Sequence, residues 1–335
     1  MKVLVTGGAG FIGSTVASAC LDAGIEPVIL DNLVTGRAEF AAGRAFFRGD
    51  IADGALLDRI FAEHPEIEAA VHCAALIVVP ESVADPLTYW HHNVAKTIDL
   101  VGHLLRNGCQ RLVFSSTAAV YGNAAGPEFA VDEDSPIDPQ SPYARTKAAV
   151  EAMLCDVAAG TELRLLSLRY FNPIGADPLL RTGLQLPRPT HLLGRLIEAA
   201  GTGTEFLVTG TDWPTRDGTG IRDYVHVWDL AAAHVAGLRR FDDVVPKDGP
   251  RAVVLNLGTG AGTTVREMVR AFEAVTGRPL RQRDTARRPG DVVGAFTRSD
   301  RARGMLGWLP EHSLADGIRD SLRWAQVRAS RLAGS

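Results

Sequence analysis

A glycine-rich turn near the start of the chain constrains its fold more than any other feature. Gly7-Gly8-Ala9-Gly10-Phe11-Ile12-Gly13 directly follows an apolar strand candidate, Lys2 to Thr6, and leads into a helix-length segment. Glycines at positions 7, 10 and 13 permit a tight turn, close approach of the backbone to a pyrophosphate, and packing of helix on strand. The turn therefore predicts a dinucleotide-binding unit.

An acidic residue strengthens this interpretation. Asp31 stands at the end of the next strand candidate, Glu26 to Leu30. A carboxylate there would accept hydrogen bonds from the ribose hydroxyls of adenosine and repel a 2′-phosphate. The glycine-rich turn and Asp31 together predict NAD, rather than NADP, as the cofactor.

Short β-branched runs alternate with longer helical patterns over the first 175 residues, which is typical of parallel βαβ units. The pattern predicts an α/β fold with a doubly wound, Rossmann-type parallel sheet in residues 1–175. Residues 176–335 are expected to form a smaller substrate-binding lobe, with returns to the main domain through a helix and a strand within 224–257. The further strand candidates are Ala45 to Arg48, Ala69 to His72, Arg111 to Ser115 and Arg164 to Tyr170, and the helix candidates are Phe11 to Ala23, Asp85 to Asn107 and Pro142 to Ala159.

Composition indicates a globular protein with a small-molecule partner. Of the 335 residues, 46% are hydrophobic and 22% charged, so the chain is too apolar to be disordered. The net charge is −4 and the basic residues are scattered, which argues against nucleic acid or anionic lipid as a partner. The sequence begins directly with a strand candidate and has no apolar stretch of about 20 residues, so a cytoplasmic protein without a membrane span is expected. The four cysteines lack Cys-x-x-Cys spacing and are expected to be buried thiols.

A tyrosine and a lysine four residues apart are the candidate catalytic pair. Tyr143 and Lys147 share one face if their segment is helical. A tyrosine, whose ordinary pKa is near 10, is a poor base at neutral pH unless its phenolate is stabilised. The Lys147 ammonium, together with a positive nicotinamide ring, is expected to lower the pKa of Tyr143.

Hydroxyl groups follow the strand candidate that begins at Arg111. Ser115, Ser116 and Thr117 come at its carboxyl end, where open α/β sheets place their sites. Thr117 is expected to bind a substrate hydroxyl and hold it against Tyr143.

A second glycine cluster, residues 258–262, also follows an apolar strand candidate. It lacks a partner acid and a following βαβ unit. A plain strand-to-helix turn is therefore the preferred interpretation over a second phosphate loop.

Several longer stretches give the chain a resemblance to a known family over nearly its whole length. They are Gly-Gly-Ala-Gly-Phe-Ile-Gly at 7–13, Asp-Asn-Leu at 31–33, Gly-Asp-Ile at 49–51, His-Cys-Ala-Ala at 72–75, Ser-Pro-Tyr-Ala-Arg-Thr-Lys at 141–147, Arg-Tyr-Phe-Asn-Pro-Ile-Gly-Ala at 169–176, Asp-Gly-Thr-Gly-Ile-Arg-Asp-Tyr-Val-His-Val at 217–227 and Arg-Arg-Pro-Gly-Asp at 287–291. The chain resembles the UDP-glucose 4-epimerases (UDP-galactose 4-epimerases), which are extended short-chain dehydrogenases/reductases. The resemblance implies an isomerase that inverts carbon 4 of a UDP-hexose through a transient 4-keto sugar.

The resemblance also implies residue roles. The catalytic set is Tyr143, Lys147 and Thr117. The implied NAD-binding residues are Gly7, Gly10, Phe11, Ile12, Gly13, Asp31, Asn32, Asp50, Ile51, Cys73, Ala74, Ala75, Asn93, Ser115, Tyr143, Lys147 and Phe171. The implied substrate-binding residues are Thr117, Tyr143, Asn172, His191, Leu192, Arg222, Arg288, Asp291 and Ala295.

Five positions depart from the family pattern. His191 replaces an asparagine that touches the sugar, and Thr209 replaces an aromatic residue that stacks on uracil. Ile77 replaces a lysine near the cofactor, and His92 replaces the first asparagine of an Asn-Asn pair. Ala295 stands where bulk limits the group at sugar carbon 2, which implies room for an N-acetyl group and hence for UDP-N-acetylhexosamines.

Other functions are compatible with parts of the sequence. Dehydratases and decarboxylases of the superfamily carry an acid just after the strand-end threonine, where this chain has Ala118 and Ala119. A 4-keto reductase and a non-catalytic NAD sensor are the remaining alternatives. No metal site is expected. The helix candidates at 85–107 and 142–159 match those that pair in family dimers, so a homodimer is expected.

Overall fold

A seven-stranded parallel sheet forms the centre of the computed structural model, which describes residues 1–122, 129–186, 189, 191–287 and 292–333. The strands are mostly buried on both faces, as their runs of Val, Ile and Leu require. The strands of this sheet are β1 (Lys2–Thr6), β2 (Glu26–Asp31), β3 (Ala45–Arg48), β4 (Ile67–His72), β5 (Arg111–Thr117), β7 (Arg164–Tyr170) and β12 (Ala252–Leu257). Their order across the sheet is β12-β7-β5-β4-β1-β2-β3.

Helices cover both faces of this sheet, each with its own apolar core. One core lies beneath α1 (Phe11–Asp22), α8 (Val227–Arg239) and α11 (Asp300–Leu306), and the other beneath α2 (Gly54–Glu63), α5 (Lys96–Arg106) and α6 (Pro142–Gly160). The predicted doubly wound α/β fold is confirmed. The segment 224–257 supplies both a helix on this sheet, α8, and its edge strand, β12.

Most of the remaining elements form a second layer at the carboxyl edge of the sheet. Short strands pair there two by two, and three helices bury a separate apolar cluster. The paired strands are β8 (Asn172–Ile174) with β11 (Tyr224–His226), β9 (Phe206–Thr209) with β14 (Gln282–Thr285), β10 (Ile221–Arg222) with β13 (Thr263–Thr264), and β6 (Ala130–Val131) with β15 (Phe296–Thr297). The helices of this layer are α7 (Leu192–Thr202), α10 (Val265–Thr276) and α12 (Leu314–Arg331), whereas the single-turn α9 (Phe241–Val244) packs in the core beneath α8.

The helix predicted from Asp85 to Asn107 is present as one continuous helical segment from Pro86 to Arg106, but it contains a π-helical turn that the sequence did not predict. The segment begins as α4 (Pro86–Trp90), passes through the π-helical turn at His91–Ala95 and continues as α5; the separate short helix α3 (Val79–Ala84) precedes it. Within the turn, the Asn93 side chain points inward and exchanges two hydrogen bonds with the Leu76 backbone, at 2.8 and 3.0 Å. The Thr97 hydroxyl donates to the Asn93 carbonyl oxygen at 2.6 Å, which satisfies a group that the turn frees.

Two smaller expectations can be checked in the same structure. All four cysteines are free: Cys20 and Cys109 are buried, whereas Cys73 and Cys155 are half-buried. In the described part of the chain, no helix is both long and apolar enough to cross a bilayer.

Candidate active site

A cavity of about 830 Å³ lies between the carboxyl edge of the sheet and the second layer. This is the position at which open α/β sheets bind ligands. Most of the residues predicted from the sequence line it: Gly7, Gly10, Phe11, Ile12, Gly13, Asp31, Asn32, Asp50, Ile51, Cys73, Ala74, Ala75, Thr117, Tyr143, Lys147, Phe171, Asn172, His191, Leu192 and Arg222.

Three predicted site residues lie behind the wall of the cavity. Asn93 is buried and holds the Leu76 backbone and Thr146. Ser115 is buried beneath Cys73, because its hydroxyl contacts the Cys73 thiol at 3.1 Å. Ala295 packs with Phe171 in a small apolar cluster, so any effect of its size on the sugar would act through Phe171. The predicted residues Arg288 and Asp291 lie outside the described residues.

The glycine-rich turn has the shape that a pyrophosphate requires. Gly7 has φ +68°, and a Cβ there would lie 2.6 Å from the Ala74 nitrogen. A Cβ at Gly13 would clash with the Gly7 carbonyl oxygen, so α1 could not pack against the turn. Helix α1 begins at Phe11 with Gly10 as its N-cap, and no side chain caps its N–H groups. The turn thus leaves the helix N-terminus accessible to an anion.

Asp31 is held rigidly beside this turn. Its two carboxylate oxygens accept hydrogen bonds from the Ala9 and Leu33 N–H groups, at 3.0 and 2.8 Å. Burial raises the pKa of this carboxyl group, and the two hydrogen bonds oppose the shift. The acid expected to bind ribose therefore also connects β2 to the glycine-rich turn.

Sequence reasoning missed Lys96, which lines the cavity near Asp31. Its ammonium pairs with the Asp50 carboxylate at 2.5 Å. Burial opposes ionisation of Asp50, but the hydrogen bond from Lys96 and further donors hold its pKa below the usual value. The scarcity of lysine in the sequence was the available signal, because Lys96 is one of only four. Other lining residues without such a signal are Tyr89, His92, Tyr170, Gln185, Trp213 and Tyr224.

Tyr143 and Lys147 lie on the first turns of α6, where Ser141 caps the helix and Pro142 starts it. The Tyr143 side chain faces Thr117, which favours the ionised form of its hydroxyl, and the Ala119 N–H donates to the Thr117 oxygen at 3.1 Å. Thr117 is therefore free to direct its own proton towards Tyr143. The predicted juxtaposition of these hydroxyl groups is present.

In the protein chain alone, burial dominates the pKa of Tyr143. Burial raises the pKa of Tyr143 to about 12, and Thr117 offsets only part of this. The Lys147 ammonium instead donates to the Ser115 carbonyl oxygen at 2.9 Å and lies 4.7 Å from the Phe114 ring centroid. Burial also lowers the pKa of Lys147, to about 8. Ionisation of Tyr143 at neutral pH thus needs more positive charge than Lys147 alone supplies.

The opposite wall of the cavity carries the polar residues expected to bind substrate. His191 caps α7 by accepting a hydrogen bond from the Gly194 N–H at Nδ1, 3.3 Å away, and burial lowers its pKa to about 4. A neutral His191 in this tautomer presents an Nε2–H donor. The Arg222 guanidinium donates to the carbonyl oxygens of Ile221 and Val293, at 2.7 and 2.8 Å, which ties the 292–293 segment to the wall.

Two of the positions that depart from the family pattern, Thr209 and Ile77, line this cavity, and Ile77 is 61% exposed. Trp213 lines it too and brings an aromatic ring to the same wall as Thr209. The Arg287 guanidinium stacks on that ring, 3.5 Å from its centroid.

Comparisons with known proteins agree with this architecture. The sequence model of the NAD dependent epimerase/dehydratase family matches residues 3–258. The chain is 45% identical to the UDP-glucose 4-epimerase of Azospirillum brasilense, over 96% of this chain and 91% of that protein. It is 42% identical to the UDP-glucose 4-epimerase of Bacillus subtilis (strain 168), over 97% and 96% of the two chains.

Solved structures give the same result. The UDP-glucose 4-epimerase of Stenotrophomonas maltophila, with bound NAD and formylated UDP-arabinopyranose, superposes with a TM-score of 0.91 at 40% identity, covering 98% of this chain and 99% of that one. The enzyme of Bifidobacterium longum, in complex with NAD⁺ and UDP, superposes with a TM-score of 0.88 at 34% identity, covering 97% and 98%. This chain therefore belongs to the NAD dependent epimerase/dehydratase family and, within it, to the UDP-glucose 4-epimerases, as its motifs predicted.

Proposed function

We propose that the chain is an NAD-dependent isomerase that inverts carbon 4 of a UDP-linked hexose and interconverts UDP-glucose and UDP-galactose. The observation that carries this proposal is that Tyr143 and Thr117 line the same cavity as the glycine-rich turn. A proton-transfer group is thus placed beside a dinucleotide site.

NAD, when bound, supplies an acceptor and donor of hydride and a positive charge on its nicotinamide ring. The residues of the chain handle the proton. Tyr143 takes the proton of the 4-hydroxyl group, and Thr117 holds that hydroxyl in place. The Lys147 ammonium, fixed by Ser115, adds positive charge near the phenolate.

The cavity wall that carries Asn172, His191 and Arg222, here called the substrate wall, holds the nucleotide and leaves the sugar free to turn. Asn172 and Arg222 carry amide and guanidinium donors of the kind that bind diphosphate and ribose oxygens. His191 adds a neutral donor, which suits a sugar hydroxyl or carbonyl group. A 4-keto sugar held only through its nucleotide can present either face to the same hydride donor.

The absence of an acid after Thr117 separates this proposal from its alternatives. Ala119 lines the cavity at the position where a dehydratase or decarboxylase would carry a carboxyl group. A reductase would consume its cofactor, whereas an epimerase regenerates it in each turnover.

The test is incubation of the purified protein with UDP-galactose, without added cofactor, followed by proton NMR. We expect conversion to a mixture with UDP-glucose and retention of protein-bound NAD. UDP-N-acetylgalactosamine serves as a second substrate, because Ala295 leaves its acceptance open. Absence of interconversion with both sugars would contradict the proposal.

We also propose that the chain forms a homodimer through α3, α4 and α5. These helices expose apolar side chains, including Val83 at 64%, Leu87 at 79% and Ile98 at 50%. Exposed apolar residues on neighbouring helices favour a protein interface. Light scattering should give twice the chain mass for the wild type and one chain mass for Leu87→Asp. The matched control is Leu309→Asp, which changes an exposed leucine elsewhere and should remain dimeric.

A further inference from the structure

The second glycine-rich turn, residues 258–262, wraps around a buried carboxylate. Asp223 is fully buried, and the N–H and hydroxyl groups of Thr259 donate to its Oδ1 at 2.9 and 2.6 Å. The Thr297 N–H donates to Oδ2 at 3.3 Å. A Cβ at Gly258 would clash with this carboxylate, so only glycine fits there. The turn thus forms an anion-binding nest, and the anion that it binds is the Asp223 carboxylate of the same chain.

Asp223 stands at the centre of the substrate wall without lining the cavity. Its chain neighbours Arg222 and Tyr224 both line the cavity. Its carbonyl oxygen accepts two hydrogen bonds from Asn172, from the backbone N–H at 3.0 Å and from Nδ2 at 3.1 Å. The placement of three lining residues therefore depends on the backbone of this one buried residue.

An ionised carboxylate is an expensive group to bury. It is tolerated where several donors replace water, and here every donor comes from the turn or from β15. An amide in its place would direct N–H groups at N–H donors, so the turn would move away from the Arg222–Tyr224 segment. An apolar side chain would leave the donors of the nest unsatisfied.

We infer that Asp223 is a positioning residue for the substrate: by anchoring the 258–262 turn and β15, it holds Asn172, Arg222 and Tyr224 where they bind a nucleoside diphosphate sugar. This inference rests on the proposed function. It assigns the second glycine-rich turn a role in substrate binding that does not involve contact with phosphate.

The test compares Asp223→Asn with a matched variant at another buried carboxylate. Asp229 accepts hydrogen bonds from the Glu311 and His312 N–H groups at 3.2 and 3.0 Å, and it lies outside the cavity lining. We expect Asp223→Asn to raise the KM for UDP-galactose and the Kd for UDP about ten- to hundredfold. Its kcat and its NAD content should stay within about threefold, whereas Asp229→Asn should leave KM and Kd within about twofold.

A milder variant keeps the test decisive if Asp223→Asn does not fold. Thr259→Val removes one donor to the carboxylate and preserves the shape of the side chain; it should raise the Kd for UDP about three- to tenfold. If both variants bind UDP as tightly as the wild type, or if Asp229→Asn weakens UDP equally, the inference is overturned. If the wild type itself binds no UDP, the proposed function fails as well.

Discussion

The Lys147 ammonium donates a hydrogen bond to the carbonyl oxygen of Ser115, 2.9 Å away. This bond ties α6 to the carboxyl end of β5, so the helix that carries Tyr143 is fixed against the strand that carries Thr117. It also places a buried cation whose lost hydration is replaced in part by this hydrogen bond and by the Phe114 ring.

The burial of Lys147 should be visible in the pH dependence of stability. Its pKa of about 8 in the folded protein lies below the ordinary lysine value of 10.5, so the folded state binds fewer protons than the unfolded state between these pH values. The Lys147 contribution to the free energy of unfolding should therefore rise with pH from about 8 to 10.5, by roughly 3 kcal/mol in total, and be constant below about 8.

Denaturant titrations at pH 7 and pH 10 measure this effect. The difference in unfolding free energy between wild type and Lys147→Met should grow in favour of the wild type on going to pH 10. Lys247→Met, at an exposed lysine, should show no such change relative to wild type. Parallel pH dependences for wild type and Lys147→Met would contradict the assignment.

Replacing Tyr143 with phenylalanine should lower kcat about 10²–10⁴-fold, because it removes the proton-transfer group and little else. Thr117→Val should give a smaller loss, since it removes a hydroxyl that faces that group. NAD content and UDP affinity serve as the controls and should stay near wild-type values. Full activity in Tyr143→Phe would eliminate the proposed mechanism.

Asp31 should control which cofactor the protein binds. Asp31→Ser removes the charge that repels a 2′-phosphate, and the ratio of NAD to NADP affinity should fall about tenfold or more. The variant should also lose about 1–3 kcal/mol of stability, because the Ala9 and Leu33 N–H groups lose their acceptor. Fluorescence titrations of cofactor-depleted protein measure both affinities. An unchanged ratio of NAD to NADP affinity would indicate that the Asp31 carboxylate stabilises the fold and does not select the cofactor.

Sequence predicted the fold and much of the cavity, because those features are local. The glycine-rich turn, Asp31 and the spacing of Tyr143 and Lys147 each depend on a few consecutive residues. Contacts between distant segments were not predictable in this way. The Asp223 nest joins residues 223, 259 and 297, and the Arg222 guanidinium is committed to carbonyl oxygens 70 or more residues away as well as to its neighbour.

A buried ion pair beneath the site was missed for the same reason. Glu151 of α6 accepts hydrogen bonds from Arg169 of β7 at 3.0 and 2.6 Å, and both side chains are about 8% exposed. Arg169 also donates to the Tyr121 hydroxyl at 2.8 Å, and Ser116 donates to Glu151. Nothing in the local sequence distinguishes these residues from solvent-exposed charges.

Removing one partner of this ion pair should be costly. Glu151→Ala should lower the free energy of unfolding by about 3–5 kcal/mol, because it leaves the Arg169 charge buried and uncompensated. Arg106→Ala is the matched control: its partner Asp58 and Arg106 itself are both about half exposed, and the loss should be under about 1 kcal/mol. Chemical denaturation measures both. If Glu151→Ala and Arg106→Ala lower the free energy of unfolding by similarly small amounts, water reaches the Glu151–Arg169 ion pair.

The π-helical turn at His91–Ala95 determines the direction in which each side chain of α5 points. An α-helix advances about 100° per residue, so one residue more or fewer before α5 rotates its faces by more than a quarter turn. Lys96 then could not reach Asp50, and Ile98 would leave the exterior. The irregular turn is thus what allows one continuous helical segment to serve the cavity wall on one side and the proposed subunit interface on the other.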